Sequence, residues 1–92
     1  MTIHCLKIWP AYFRAIDTGA KTVELRAETD RTFAVGDILW LQEYVPSPSP
    51  HYTGRRLAVQ VTHILRDPQG QWLAPHIAAL SIRPIFPSYA SS

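Results

Sequence analysis

The chain reads as one small domain of the α+β class, mostly β with one or two helices, its strands forming a small, mainly antiparallel barrel. Three observations predict this. Five or so short segments alternate apolar and polar residues with a period of two, the pattern of half-buried strands. One early stretch, from Pro10 to about Thr18, has helical spacing. Most neighbouring strands are joined by segments with no crossover helix, which excludes a parallel βαβ sheet. With 92 residues there is one small core to close, and a barrel with a helix plugging one end closes it.

The elements follow in order. Ile3 to Ile8 is the first strand and carries Lys7. Pro10 suits the first turn of a helix, where its missing N–H costs nothing. Phe13 and Ile16 lie one turn apart on the face to be buried, with Tyr12 beside them. Gly19 stops the helix, because the residue past a helix end often takes a positive φ that glycine reaches without strain. Thr22 to about Ala27 is the second strand, with Thr22, Glu24 and Arg26 on one face and Val23 and Leu25 on the other. Glu28 to Arg31 is a polar connection.

Gly36-Asp37 signals a turn before the third strand, Ile38 to Tyr44. There Ile38, Trp40, Gln42 and Tyr44 share one face and Leu39, Leu41 and Glu43 the other; Trp40 and Tyr44 are expected in the core. Val45 to His51 holds three prolines and two serines, a loop unable to pair inside a sheet. Tyr52-Thr53-Gly54-Arg55 reads as a turn into the longest strand, about Arg56 to Leu65, where His63 alternates with Val61 and Leu65 as a core or rim histidine. Asp67-Pro68-Gln69-Gly70 is a turn, and Ile77 to Arg83 is the last strand. The domain spans 1–84, and 85–92 is a loose tail of uncharged residues.

Composition narrows the function. A hydrophobic content of 47% with 17% charge belongs to a folded globule. No apolar run approaches the roughly 18 residues that span a bilayer, and Lys7 with Pro10 interrupts the N-terminal apolar stretch where a secretory signal would continue. Cys5 stands alone, so no intrachain disulfide forms, and a reducing cytoplasm suits it. His4, His51, His63 and His76 are scattered, without the spacing of a zinc site; no metal or cofactor is expected, and a monomer is the default. The net charge of +2 is a slight bias toward anionic partners. Residues 38–66 carry it: Arg55, Arg56 and Arg66 stand there against Glu43 alone.

The most informative stretch is Gly19-Ala20-Lys21-Thr22-Val23-Glu24-Leu25-Arg26, where two cations and a carboxylate sit where a helix hands over to a strand. Such rigid backbone holds functional groups in place. In its setting the motif Gly19-x-Lys21-x-x-Glu24-x-Arg26 resembles the ASCH branch of the PUA-like superfamily, small barrels associated with RNA. The resemblance extends through Phe33-x-Val35-Gly36-Asp37-x-Leu39-x-Leu41 and Val61-Thr62-x-Ile64. The segment Leu6 to Phe13, the pair Glu43-Tyr44 and the segment Tyr52 to Arg55 resemble a short bacterial and phage subfamily of unknown function. The match covers about residues 3–83.

The resemblance implies contact with single-stranded RNA or a nucleotide near the glycine–lysine turn. It also implies a metal-free hydrolase as an alternative, a ribonuclease or an amidohydrolase acting on acetylated cytidine. In that amidohydrolase branch a lysine at the Lys21 position works with a threonine three residues later and a glutamate from a later strand. Here Glu24 stands in the threonine's place, and the last glutamate of the chain is Glu43.

Read residue by residue, Lys21 is a point charge for phosphate or, with its pKa lowered, a base. Arg26 can grip phosphate through two N–H groups while Glu24 orients it. Lys7 joins them if the barrel mouth brings the first strand close. Tyr52 beside Arg55 can stack a base and hold its phosphate. In the hydrolase reading Lys21 and Glu24 are the acid–base pair. A third reading is a protein-interaction module of a phage or mobile element, using the proline loop and the tail residues Ile85, Phe86 and Tyr89.

Overall fold

Five strands build one sheet in the order β1-β3-β4-β5-β2: β1 is Ile3–Ile8, β2 Val23–Ala27, β3 Ile38–Val45, β4 His51–Arg66 and β5 Ile77–Pro84, with a helix, α1, at Pro10–Asp17. The structure is a computed structural model and describes residues 1–85; the tail beyond Ile85, with Phe86 and Tyr89, lies outside the described residues. The sheet curls into a half-barrel. Three of its four pairings are antiparallel and one, β1 with β3, is parallel. The sheet is therefore mixed. The chain leaves β1, forms α1, adds β2 at the far edge of the sheet, and returns to lay β3 beside β1.

The concave face is the core. Leu6 and Ile8 of β1, Leu39 and Leu41 of β3, Leu57, Val59 and Val61 of β4, and Ala78, Leu80 and Ile82 of β5 all point into it. Helix α1 packs against β3, and Phe13 and Ile16, three residues apart, are its buried side. Full burial of a side chain such as Phe13 stabilises by about 1.5–3 kcal/mol.

The helix start and stop follow the sequence. Pro10 lies in the first turn. Gly19 has φ +85°, its N–H donates to the Ile16 carbonyl at 3.1 Å, and the Lys21 N–H donates to the Ala15 carbonyl at 2.8 Å. These bonds satisfy carbonyls at the helix end. They also tie the Lys21 backbone to the helix.

Two carboxylates pin the connections. Asp37 accepts from the Thr2 N–H at 3.0 Å, the Ala34 N–H at 2.9 Å and His4 Nε2 at 2.9 Å. Burial pushes its carboxyl up, but these three donors more than reverse that and hold it below its usual range. Glu28 accepts from Arg66 at 2.7 and 3.0 Å and from the Phe33 N–H at 2.8 Å. The Arg66 guanidinium is the main reason that its carboxyl is held low.

Three expectations change. Tyr52 to Arg55 is no turn but the start of β4, sixteen residues long. The register passes from Gln42↔Arg56 to Tyr44↔Tyr52, so β4 takes four steps where β3 takes two, and Gly54 at φ +92° absorbs the bulge. Trp40 and Tyr44 are not core: the alternation is right, but Leu39, Leu41 and Glu43 form the buried face and the aromatics are half-exposed on the convex side. His63 is exposed, because a second register shift between Val61 and His63 turns the end of β4 outward.

In β2 the alternation leaves the choice of face open, and the polar face is the one that is buried. Glu24 is buried, while Val23 and Leu25 are exposed. The cause is register. Glu24 pairs with Leu80 and Arg26 with Ala78, and opposed residues of an antiparallel pair share a face. Leu80 and Ala78 face the core, so Glu24 and Arg26 must face inward too.

Candidate functional site

The half-barrel has an open seam between its two edge strands, β1 and β2, and one side chain crosses it. Arg26 Nη2 donates to the carbonyl of Lys7 on β1 at 2.7 Å. Its Nε donates to Glu24 Oε2 at 2.7 Å. Glu24 Oε1 accepts from Lys21 Nζ at 2.6 Å. A buried carboxylate thus clamps two partly exposed cations, with side-chain exposures of 8% for Glu24 against 28% and 24% for Lys21 and Arg26. The triad carries a net charge of +1.

Each member is held by backbone. Lys21 is tied to the helix end, while Glu24 and Arg26 are held by the ladder to β5. The cations keep donors in reserve. An ammonium has three N–H groups, and among the described residues Lys21 uses two, on Glu24 and on the Val23 carbonyl. A guanidinium has five, and among the described residues Arg26 uses two.

Beside the triad lies a cleft of about 280 Å³, with Lys7, Trp9, Tyr12, Glu24 and Arg26 in its walls. A second hollow of about 290 Å³ shares Tyr12 and Glu24 with it and reaches Lys21. Trp9 and Tyr12 stand at the start of α1 and are half-exposed. Their rings are nearly parallel, 13° apart in tilt with centroids at 6.2 Å. Lys21 Nζ lies 5.8 Å from the Tyr12 ring centre. An aromatic platform therefore adjoins a cluster of hydrogen-bond donors.

A third hollow opens where β4 bulges. Glu43, buried on the concave face, accepts from Thr53 Oγ1 at 2.7 Å and pairs with Arg55 Nε at 3.5 Å. The Arg55 guanidinium lies 4.8 Å from the Phe13 ring centre. Tyr52 lines this hollow with Arg55 and Glu43. Lys7 links the two regions, its Nζ 4.4 Å from the Tyr44 ring centre and 5.9 Å from that of Tyr52.

Of the residues singled out in the sequence, Lys21, Glu24 and Arg26 come together directly. Lys7 joins them through its carbonyl and the shared cleft. Tyr52 and Arg55 stand in the neighbouring hollow. Sequence reasoning missed Trp9 and Tyr12 as a platform, and Glu43. Tyr12 was read as a neighbour of the buried helix face, and Trp9 sits on a connection with no pattern. Glu43 did carry a signal: it alternates with Leu39 and Leu41, so their burial dictates its own. Among the described residues, no three His, Cys, Asp or Glu side chains gather as a metal centre requires. No helix among them is long and apolar enough to cross a membrane.

A family model described as a domain of unknown function (DUF3850) matches residues 3–81. No curated protein matches the chain.

Proposed function

The chain belongs to the DUF3850 family, and for this member we propose an ASCH-type, PUA-like domain that binds single-stranded RNA or a nucleotide in the cleft between β1, α1 and β2. It acts in the cytoplasm as a monomer. The observation that carries this reading is the paired Trp9 and Tyr12 rings beside the Lys21–Glu24–Arg26 triad. A base stacks on an aromatic face regardless of sequence. Spare N–H groups on Lys21 and Arg26 meet phosphate or sugar oxygens, and Lys7 adds charge on the near wall. Glu24 aims both cations and is not itself a phosphate contact. Tyr52 and Arg55 offer a second stacking and phosphate position past Lys7. A net charge near +2 suits a short strand or one nucleotide better than a duplex.

The test is fluorescence anisotropy with a labelled short RNA, competed by mononucleotides, for the unaltered chain and for Tyr12→Ala and Trp9→Ala. Losing a stacking partner costs about 1–3 kcal/mol per base, so each variant should bind about 5- to 150-fold more weakly. Equal affinity in all three proteins, or no binding of RNA or nucleotide at all, would refute the reading.

One observation favours a second reading. Lys21 Nζ and Glu24 Oε1 lie 2.6 Å apart and both line one hollow, so the two groups can reach the same bound substrate, as an acid–base pair must. Single-turnover cleavage of RNA, lost in Lys21→Ala, would separate an enzyme from a binder.

A further inference from the structure

The two faces of the sheet carry opposite chemistry. Its strands hold two carboxylates, Glu24 and Glu43, and both are buried on the concave side. The convex side of the strands carries cations and no carboxylate. Lys7 on β1 stands opposite Gln42 on β3, and Gln42 stands opposite Arg56 on β4, so the three form one row across the sheet. Arg83 on β5 stands opposite Gln60, which pairs with Ile38 and so shares the convex face. Lys7, Arg56 and Arg83 are all exposed.

Aromatic rings flank the row. Tyr44 and Tyr52 are opposed on one side of it, their rings edge to face with centroids 5.0 Å apart. Trp40 lies on the other side, and neighbours on one face of a strand are about 7 Å apart. Lys7 Nζ is 4.4 Å from the Tyr44 ring centre, and the Arg56 guanidinium is 5.8 Å from that of Trp40. Each of these cations thus sits beside a partly exposed ring. Unpaired bases stack on such rings while the cations meet the phosphates that join them. The bases of a duplex are already stacked and offer the rings no face. A face of one charge sign also draws a polyanion without local repulsion.

Lys7 connects this face to the seam. Its carbonyl accepts from Arg26 at 2.7 Å, while its ammonium lies on the convex side. From β1 over β3 to β4 is two strand spacings, about 10 Å. We propose that an RNA strand anchored at the seam turns over the edge of β1 at Lys7 and runs across the convex face. Its bases lie on Tyr44, Tyr52 and Trp40, and its phosphates on Lys7, Arg56 and Arg83. The ligand is then an oligonucleotide of several residues and not a mononucleotide. The start of this path rests on the seam reading, whereas the platform stands on the rings and charges of the convex face.

The test compares a uridylate dinucleotide with a uridylate hexanucleotide, by anisotropy, on the unaltered chain, on Tyr44→Leu and on a variant carrying Arg56→Gln and Arg83→Gln. The unaltered chain should bind the hexanucleotide about tenfold or more tightly than the dinucleotide, the worth of at least one further stacked base. Both variants should lose that gain and keep the dinucleotide affinity. Ring resonances of Trp40, Tyr44 and Tyr52 in the unaltered chain should move with the hexanucleotide and not with the dinucleotide, a check that needs no substitution. Equal affinity for the two lengths, a gain that survives in both variants, or unmoved rings would overturn the platform and leave the seam site standing. Hexanucleotide binding that both variants lose, with no dinucleotide binding at all, would uphold the platform and refute the seam. Ring resonances that move with protein concentration instead of RNA would overturn the platform and assign the face to a second copy.

Discussion

The Arg26 guanidinium is bonded to the main-chain carbonyl of Lys7 at 2.7 Å, joining the two edge strands of a sheet that share no ladder. The open seam of the half-barrel is thus closed by a side chain, and that side chain is itself aimed by a buried carboxylate. The fastening of the seam and the proposed binding site therefore share the same few atoms.

Arg26→Lys should loosen the seam although it preserves charge. A lysine has no planar fork with which to reach Glu24 and the Lys7 carbonyl together. Losing one hydrogen bond to a charged group costs about 1.5–3 kcal/mol, discounted here because Arg26 is partly exposed. The expected result is a lower denaturant midpoint, with faster amide exchange in β1 and β2 than in β4. Uniform acceleration across all strands would mean that the bond is not a local fastener.

Glu24→Gln separates the two readings of the triad. It removes the one negative charge between Lys21 and Arg26, so a binder should hold RNA as well as before or slightly better. A hydrolase should lose turnover far more than affinity. Titration and single-turnover assays on the same preparation decide between them.

The salt dependence of RNA binding should be shallow. The sequence alone offers Lys21, Arg26 and Arg55 as about three phosphate contacts, a slope near −2 at roughly 0.7 per contact on a single strand. In the structure Glu24 cancels one cation of the triad and Glu43 pairs with Arg55. Lys7 and the net charge of the triad leave about two effective charges and a slope near −1.4. A slope steeper than −3 would show that other cations dominate.

Gly19→Ala and Gly19→Val should destabilise by similar amounts, about 1–3 kcal/mol. Among the described residues, nothing beyond the glycine's own chain neighbours lies within 4 Å of an added Cβ at Gly19, so the cost is the positive φ and not a clash. Chemical denaturation of both variants is the check. A valine penalty without an alanine penalty would refute the backbone argument.

Acid should unfold the protein through Asp37 and Glu28. Both carboxyls are held below their ordinary values. A depressed native pKa contributes stability that is complete above the unfolded value, near pH 4, and is lost as pH falls from there through the native value. Stability should be flat in this respect from neutral pH to about pH 5 and fall below about pH 4. Asp37→Asn should be less stable at pH 7 and show a shallower fall in acid, as read from urea midpoints.

Much of the fold was legible because the signals are local. Pro10 and Gly19 bound the helix, since one lacks an N–H and the other tolerates positive φ. Alternation located the strands, and the DPQG turn closes as expected, with the Gly70 N–H on the Asp67 carbonyl. What misled was a local signal with two outcomes. Gly54 marks a turn in a sequence, yet the same positive φ serves a bulge inside a strand once a partner strand runs alongside.

The sequence by itself determined the period of each strand, and so which residues travel together: Glu24 with Arg26, Leu39 with Leu41 and Glu43. It also determined that Lys21 follows a helix stop on stiff backbone. Only the tertiary structure decided which set faces inward, because a period of two is indifferent to the choice between faces. That choice was made by pairing. The ladder to Leu80 and Ala78 turned Glu24 and Arg26 toward the core, and the curl of the sheet brought β1 close enough for Arg26 to reach the Lys7 carbonyl. A carboxylate can lie buried there because two cations from the same seam neutralise it and remain within reach of water.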